Sequence, residues 1–590
     1  MILQSLYKLY ERLADDPEYG LPLRGFSSQK VSFKLVLKPD GSLLEPQSVD
    51  PKVQTLVLGE GKPPGSGINP CFLWDNQTYL LGRQPEDKKD GFGQDRFEAF
   101  RARHLAVEQE IGSPAFSAVC RFLEAWNPER LSEYPLLEEA GTGFGVFQIQ
   151  GERGYVHDDP VVRAWWNKTQ TAGEASSAAV LGQCLITGEQ QVEIARLHPK
   201  IKGVVGAQSA GASIVSFNAT AYESYGKEQS YNSPVGEEAA FCYGTALNAL
   251  LSGPMASRHR LRIGDTSCVF WTEKKCPVED VFAELLGSGS FAVEEAQDPD
   301  KLDQLKRLLK AVTSGGRYAD LDDVEAGTPF FLLGLAPNAA RLSVRFFYNS
   351  TVGDTLERLR EHHACMQIVR EFEQPVGKRF ADPEFPPLWA LLRETVRRGD
   401  DPAPLLGGAL MRAVITGSPY PVGLYAAILR RIQADRTINY LRAATLKAVL
   451  VRNYSFKLKT MLDTDNTDPA YLLGRLFAVL EKTQLDALPG LNATIRDRFY
   501  SAASATPASV FPRLLRTYQH HLGKLLGGAK VNRERLLQDI MEAISSGGFP
   551  RQLNLQEQGI FAIGYYHQRK SLFTAKAKNA EPETSEPATL

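Results

Sequence analysis

The segment FFLLGLAPNAARLSVRFFYNS, residues 330–350, contains two apolar runs on either side of a PNAAR turn. Short apolar runs rich in aromatic side chains, separated by a turn with Pro and Asn, are typical of strands. After about Pro387 the pattern is helical throughout. The Gly and Pro residues that interrupt it are Gly417, Pro469, Pro489, Pro507 and Gly527. We therefore predict the α+β class: a mixed α/β N-terminal part with short strands and hairpins, followed by an all-helical C-terminal bundle.

Upstream of this segment, helical and strand patterns alternate. MILQSLYKLYERL, residues 1–13, places its apolar side chains on one helical face, and GEEAAFCYGTALNALL, residues 236–251, predicts another helix. VSFKLVL, residues 31–37, followed by PDGS, predicts a strand that enters a hairpin. FLWDNQTYLLG, residues 72–82, predicts two short strands that turn at Asp75 and Asn76.

The length of 590 residues exceeds what one hydrophobic core usually supports, so two to four domains are expected. Patterning and composition suggest a mixed α/β part over residues 1–385, a helical part over 386–578 and a disordered tail over 579–590. The tail has no large apolar side chain except its last residue.

The overall composition is ordinary for a globular protein, with 43% hydrophobic residues, 23% charged residues and a net charge of −2. Seven cysteines occur without a C-x-x-C pair, and the N-terminus has no apolar signal core. No apolar run approaches the roughly 20 residues of a membrane helix. We therefore expect a soluble cytoplasmic protein with reduced thiols and no membrane contact.

Basic residues are concentrated in one part of the helical region. Between residues 412 and 459 the only acid is Asp435. The basic residues of this window are Arg412, Arg430, Arg431, Arg436, Arg442, Lys447, Arg452, Lys457 and Lys459. Such an excess attracts the phosphate backbone of nucleic acids. The alternative is a solvated helix face whose cations pair with acids elsewhere in the fold.

No pattern in the sequence makes a convincing catalytic or metal site. Ser209 lies in A-x-S-x-G and lacks the first glycine of a nucleophile elbow. His362 and His363 are adjacent, so on a helix they point about 100° apart. Cys184 begins only half of a zinc knuckle. We predict no catalytic residue, metal or cofactor. A hydrolase or nuclease that uses Ser209, or the carboxylates of YADLDDVE at residues 318–325, is the alternative.

Two loops have a composition suited to nucleic acid. SIVSFNATAYESYGKEQSYNSP, residues 213–234, combines Tyr rings that could stack on bases with amides that could contact base edges. The segment from Lys62 through Asn69 to Asn76 also combines glycines, amides and a cation. The alternative is that these amides satisfy the backbone of their own loops.

Several blocks of the chain resemble the large subunit of the type I-C CRISPR interference complex, Cascade. They run in order up to about residue 525, and the longest extends from residue 194 to 251. The blocks are MILQSLYKLYERL, INPCFLWDNQTYLLG, IARLHPKIKGVVGAQSAGASIVSFNATAYESYGKEQSYNSPVGEEAAFCYGTALNALL, LGLAPNAARLSVRFF and GRLFAVLEKTQ with NATIRDRFYSAASATPASVFPRLLRTYQHHLGKL.

The resemblance implies a non-catalytic subunit that recognises the protospacer-adjacent motif in double-stranded DNA. It further implies help in duplex opening and R-loop stabilisation, and support for recruitment of a separate nuclease–helicase. The implied partners are crRNA, target DNA and the handle-capping, backbone and small subunits, with residues 1–385 docked at the crRNA handle end. A scaffold that binds only proteins is a further alternative.

The family also produces its helical C-terminal part separately as the small subunit. Met461 is the predicted internal start, and Met411 or a non-Met codon is the alternative. The resemblance thereby divides the helical part into a basic helical connector over 386–460 and a helical bundle over 461–578 that resembles the small subunit. We expect motif recognition by amides of the two loops, with phosphate contacts from Lys62, Lys227 and the basic helices. The complete predicted set is Lys62, Asn69, Asn76, Gln208, Asn218, Lys227, Gln229, Asn232, Arg430, Arg431, Arg452, Lys457, Arg496 and Arg498.

Overall fold

The computed structural model describes residues 2–22, 25–50, 54–59, 62, 67–141, 143–171, 180–280, 282, 307, 325–374, 380–544 and 548–578. The predicted tail and most of the YADLDDVE carboxylates lie outside these ranges. The chain divides into two units. The N-terminal unit comprises Met1–Gly203, Ala207–Ala256 and Asn338–Leu342, and the C-terminal unit comprises Val204–Gly206, Ser257–Pro337 and Ser343–Leu590.

The described helices and strands follow in chain order. Up to residue 252 they are α1 (Ile2–Ala14), β1 (Phe26–Leu37), β2 (Leu43–Ser48), β3 (Gln54–Leu58), β4 (Trp74–Asn76), α2 (Gln77–Leu80), α3 (Phe92–Leu105), α4 (Glu108–Ile111), α5 (Pro114–Ala125), α6 (Pro135–Ala140), β5 (Phe144–Ile149), α7 (Pro160–Thr171), β6 (Leu181–Gly182), β7 (Val192–Glu193), β8 (Lys200–Ile201), β9 (Ala212–Ser213) and α8 (Glu237–Ser252). Thereafter they are α9 (Ala256–His259), β10 (Arg260–Ile263), β11 (Thr266–Thr272), β12 (Pro329–Asn338), β13 (Arg341–Thr351), α10 (Val352–Met366), α11 (Leu388–Arg393), α12 (Pro404–Thr416), α13 (Val422–Asp435), α14 (Tyr440–Tyr454), α15 (Pro469–Ala487), α16 (Ile495–Ala505), α17 (Pro507–Leu522), α18 (Gly527–Ala543) and α19 (Leu555–Lys578).

The first sheet of the N-terminal unit has the order β2-β1-β5-β4, and β3 pairs with the first half of β1. β1 and β2 form the predicted hairpin across the PDGS turn, whereas β1 and β5 are parallel. Alternate side chains of β1, such as Phe33 and Leu35, are fully buried against the aromatic residues of α3 and α5. This apolar face fixes the register of the sheet.

The predicted hairpin at residues 72–82 is wrong. Only Trp74–Asn76 is a strand, and Gln77–Leu80 is a short helix. The Asn76 side chain accepts a hydrogen bond from the Thr78 backbone N–H at 3.1 Å and so caps this helix. Asn suits a helix N-cap as well as a turn, so the local sequence could not separate the two outcomes.

The remainder of the N-terminal unit is organised around α1 and α8, both of which the sequence predicted. They pack against each other, with the rings of Tyr10 and Phe241 edge to face at 5.8 Å. The short strands β8 and β9 are antiparallel, and β9 pairs in parallel with Arg341 at the start of β13. This last pairing joins residues 338–342 to a region more than a hundred residues earlier in the chain.

In the C-terminal unit the strands β10, β11, β12 and β13 follow one another in a sheet. β12 and β13 are the two runs predicted around PNAAR, and β11 is buried along its whole length. The part of the chain after Pro387 is helical wherever the structure describes its regular elements. The predicted α+β class is therefore confirmed.

The centre of the C-terminal unit is the contact between α15 and α19. Gly474 of α15 faces the backbone of α19 at Phe561, and Gly564 of α19 faces the backbone of α15 at Tyr471. The missing side chains let the two helices approach closely. Helix α19 also reaches earlier elements, since the Tyr425 hydroxyl donates to the Leu555 carbonyl oxygen at 3.0 Å. The domain limits at residues 385 and 460 stay predictions.

Candidate nucleic-acid interface

One of the two predicted loops, residues 213–234, is held together by the side chain of Asn232. Its Oδ1 accepts from the Ser224 N–H at 2.8 Å, and its Nδ2 donates to the carbonyl oxygens of Lys227 and Gln229 at 2.6 and 3.0 Å. Ser224 and Lys227 close a turn whose central residues, Tyr225 and Gly226, have φ of 54° and 66°. Because its amide is used within the loop, Asn232 supports the loop and does not project toward a ligand.

Gln229 also stabilises the structure around this loop and does not project toward a ligand. Its φ is 47°, and its side-chain oxygen accepts from the Arg196 Nε at 2.9 Å. Its backbone N–H donates to the Glu223 carboxylate at 3.5 Å. Asn232 therefore satisfies the backbone of its own loop, whereas the side-chain amide of Gln229 is used by Arg196, outside the loop.

Asn218, by contrast, is exposed beside a cation from a distant part of the sequence. Its Oδ1 accepts from Arg341 Nη2, and the Arg341 guanidinium lies 4.5 Å from the centre of the Tyr222 ring. The Ser213 N–H donates to the Ala340 carbonyl oxygen at 3.1 Å, which brings Arg341 to the loop. Arg341 cannot be recognised as a neighbour of this loop from the sequence alone, because the contact depends on the pairing of β9 with β13.

The neighbouring β8–β9 connection adds further cations and no acid. The sequence contains no Asp or Glu between Glu193 and Glu223. Lys200 donates to the Ser213 hydroxyl at 2.9 Å, and Lys202 is exposed. Gln208 is exposed at the tip of this connection. We define the amide–cation face as Lys200, Lys202, Gln208, Asn218, Tyr222, Lys227 and Arg341.

Of the residues predicted in the segment 62–76, only Asn69 projects to solvent. Lys62 forms an ion pair with the fully buried Asp75, donates to the Asn69 carbonyl oxygen at 2.7 Å and lies 3.3 Å from the Tyr79 ring centre. Burial raises the pKa of Asp75, and Lys62 opposes that rise. Lys62 thus neutralises a buried carboxylate, and Asn76 caps a helix as described above.

Several cations of the basic window at residues 412–459 already have partners within the fold, although one of them, Lys459, is also exposed. Arg442 pairs with Glu394 and Asp435, Arg431 pairs with Asp435, and Lys459 pairs with Asp463 and Asp465. Burial lowers the pKa of Lys447 to about 8. Arg452 donates to the Ala413 carbonyl oxygen at 3.1 Å and lies over the Tyr420 ring. The exposed members of the window are Arg412, Arg430, Arg436, Lys457 and Lys459.

A more continuous basic surface lies in the C-terminal helices. The sequence has no acid between Asp497 and Glu534. The exposed Arg513, Arg516 and His520 follow one side of α17, and Lys524 continues this row just past its end. Arg498 is exposed as well, whereas Arg496 lies with its Nε 3.7 Å from the buried carboxylate of Glu481. The row is visible in the sequence as a stretch of cations without acids.

A model of the family described as CRISPR-associated protein (Cas_Csd1) matches residues 6–573. The chain belongs to the Cas_Csd1 family. A comparison with curated proteins gave no match. The resemblance found in the sequence is confirmed at the level of a CRISPR-associated, Cascade-type large subunit.

In this member of the Cas_Csd1 family, the residues weighed for catalysis or metal binding have other partners or none. His362 shares a hydrogen bond with the Tyr420 hydroxyl at 2.7 Å, and burial keeps the pKa of His363 at about 3. Within the described ranges, the Ser209 hydroxyl has no hydrogen bond, and no three metal-ligating side chains come together. No described helix is long and apolar enough to cross a bilayer.

Proposed function

We propose that this chain is the non-catalytic large subunit of a type I-C CRISPR surveillance complex. In this proposal it recognises the protospacer-adjacent motif in double-stranded DNA, aids duplex opening and R-loop stabilisation, and supports recruitment of a nuclease–helicase. Its partners are crRNA, target DNA and the handle-capping, backbone and small subunits. Family membership and the amide–cation face together support this function.

The amide–cation face offers the two kinds of contact that duplex recognition requires. Exposed ammonium groups such as those of Lys202 and Lys227 suit phosphates, which position a protein without reading sequence. Exposed amides such as Gln208 suit base edges, where a bidentate contact discriminates between bases. Gln229, Asn232, Asn76 and Lys62 then have supporting roles, and Asn69 remains a second candidate for base contact.

Two substitutions on the amide–cation face should distinguish base contacts from phosphate contacts in the assembled complex. We expect Gln208→Ala to reduce discrimination between motif variants by about 5- to 150-fold, the equivalent of ~1–3 kcal/mol for a bidentate amide contact. We expect Lys202→Ala to weaken binding to all motifs and to lower the salt slope by about 0.9. Electrophoretic shifts with randomised motif bases, over a salt series, measure both.

Arg130→Ala is the matched control, because Arg130 is an exposed cation whose contacts in the described structure, with Glu133, Tyr134 and Trp126, are all local. Arg130→Ala should change neither the discrimination between motif variants nor the salt slope of DNA binding. If Gln208→Ala and Lys202→Ala both bind as the unmodified complex does, the amide–cation face does not contact DNA. Release of a cleaved product from DNA or RNA with Mg²⁺ or Mn²⁺ would contradict the non-catalytic role.

We further propose that the C-terminal helices contact the displaced strand through the row of Arg513, Arg516, His520 and Lys524. An internal start at Met461 would supply these helices separately as the small subunit. Met461 is 63% exposed and lies between α14 and α15, so a chain that begins there keeps α15 to α19 intact.

Expression of the unmodified gene should yield a second, shorter product whose sequence begins at Met461. Mass spectrometry of the purified complex measures it. Met461→Ala should remove this product and leave the full-length chain. Persistence of the same product in Met461→Ala would place the start elsewhere, with Met411 as the next candidate.

A further inference from the structure

Tyr225 is the most exposed large side chain of the amide-rich loop, and its backbone is held in an unusual conformation. Its exposed fraction is 99%, and its φ is 54°. A positive φ is disfavoured for a residue with a Cβ, and glycine or asparagine normally occupies such a turn position. Neither the backbone conformation nor burial of the ring therefore accounts for a tyrosine here.

The loop holds this tyrosine in place. Its turn is closed by the Lys227 N–H, which donates to the Ser224 carbonyl oxygen at 3.0 Å. Asn232 binds the backbone on both sides of the turn, as described above. The backbone of Tyr225 is thus fixed by its neighbours, while its ring extends into solvent. A fixed backbone reduces the entropy that would be lost when the ring contacts a partner.

The surroundings of the ring favour a nucleobase as that partner. Lys227 is two residues away, and its ammonium has no partner within the described residues. Two acids flank the turn: Glu223 accepts the Gln229 N–H, and Glu228 is exposed next to Lys227. The same loop contributes Asn218 to the amide–cation face. A flat ring beside a cation is the combination on which unpaired bases stack while their phosphates are neutralised.

We propose that Tyr225 is a stacking platform for an unpaired nucleobase of the target DNA. This inference rests on the proposed function, because it requires a DNA strand at the amide–cation face. It goes beyond motif recognition, since stacking holds a base that has left its pair and is tolerant of the base's identity. Tyr225 would then bind an opened strand, while Gln208 contacts bases that remain paired.

Substitutions at Tyr225 in the assembled complex test this inference. Tyr225→Gly should lower affinity for target DNA by about 5- to 150-fold, the equivalent of ~1–3 kcal/mol for one base on one ring. The melting temperature of the Tyr225→Gly protein should be unchanged or higher, because glycine accepts the positive φ at this position. Tyr225→Phe keeps the ring and should bind like the unmodified protein. With 5-iodouracil placed beside the motif, light should crosslink the DNA to residue 225 in the tyrosine and phenylalanine proteins.

These measurements distinguish failure of the stacking role of Tyr225 from failure of the proposed function. Phe380→Ala truncates another exposed aromatic side chain, outside both the amide–cation face and the basic window, and is the control for loss of a surface ring. If Tyr225→Gly binds DNA normally while Lys202→Ala binds weakly, the stacking role is wrong and the proposed function stands. If both variants bind DNA normally, the stacking role and the proposed function are both wrong. If Tyr225→Gly loses a protein subunit from the complex instead, the ring contacts a protein and the nucleobase proposal is overturned.

Discussion

Gly474→Ala should lower the free energy of unfolding of the C-terminal unit by about 3 kcal/mol or more. A Cβ at this position would overlap the Phe561 carbonyl oxygen and lie 2.8 Å from the Tyr565 nitrogen. Both atoms belong to the backbone of α19, so no side chain can move aside, and α15 and α19 must separate. Denaturant unfolding followed by circular dichroism measures the change.

Gly408→Ala is the matched control for this prediction. Gly408 also lies in a helix, α12, but a Cβ there would meet no atom within 4 Å. We expect it to stabilise the protein by about 0.5–1 kcal/mol, because alanine loses less backbone entropy than glycine in a helix. Equal unfolding midpoints for Gly474→Ala and the unmodified protein would show that the α15–α19 contact is looser than the structure indicates.

Lys62→Met should lower the free energy of unfolding of the N-terminal unit by about 3 kcal/mol near neutral pH, because it leaves the buried carboxylate of Asp75 without its partner. The loss should shrink in acid. Without Lys62, burial raises the pKa of Asp75 further above its unfolded value, so the folded state binds the proton more tightly. The stability of Lys62→Met therefore falls as pH rises through that pKa. Thermal unfolding over a pH series measures this.

The double variant Lys62→Met with Asp75→Asn should recover most of the lost stability, since no buried charge remains. Lys227→Met is the matched control, because it removes a lysine whose ammonium has no partner among the described residues. It should leave the unfolding curve unchanged. If Lys62→Met is instead fully stable and only flattens the salt dependence of DNA binding, Lys62 contacts phosphate, as the sequence alone suggested.

Local patterns in the sequence were sufficient for most of the fold. The apolar periodicities of α1 and α8 and the two runs around PNAAR each correspond to an element of the structure. Asn76 shows the limit of local patterns, since the same residue type favours a turn and a helix cap. Side-chain chemistry at Asn76 could not decide which backbone follows.

The candidate site was harder to predict, because partners far apart in the sequence decide whether a polar side chain is available. From the sequence alone, Lys62 is a reasonable candidate for a phosphate contact. In the structure its ammonium forms an ion pair with Asp75 instead. Three of the basic residues in the window 412–459 pair with acids, some of them outside the window. Arg341 reaches Asn218 only through a strand pairing. A count of charges along the chain contains none of this information.

The contacts of α19 have a consequence for synthesis on the ribosome. The Tyr566 hydroxyl donates to the Val369 carbonyl oxygen at 2.7 Å, 197 residues earlier in the chain. At about 5–20 residues per second, a nascent chain needs on the order of ten to forty seconds to cover that distance. During this interval the earlier helices lack their last partner, and their apolar faces are available to chaperones. Folding of this unit therefore cannot be complete before α19 has been synthesised.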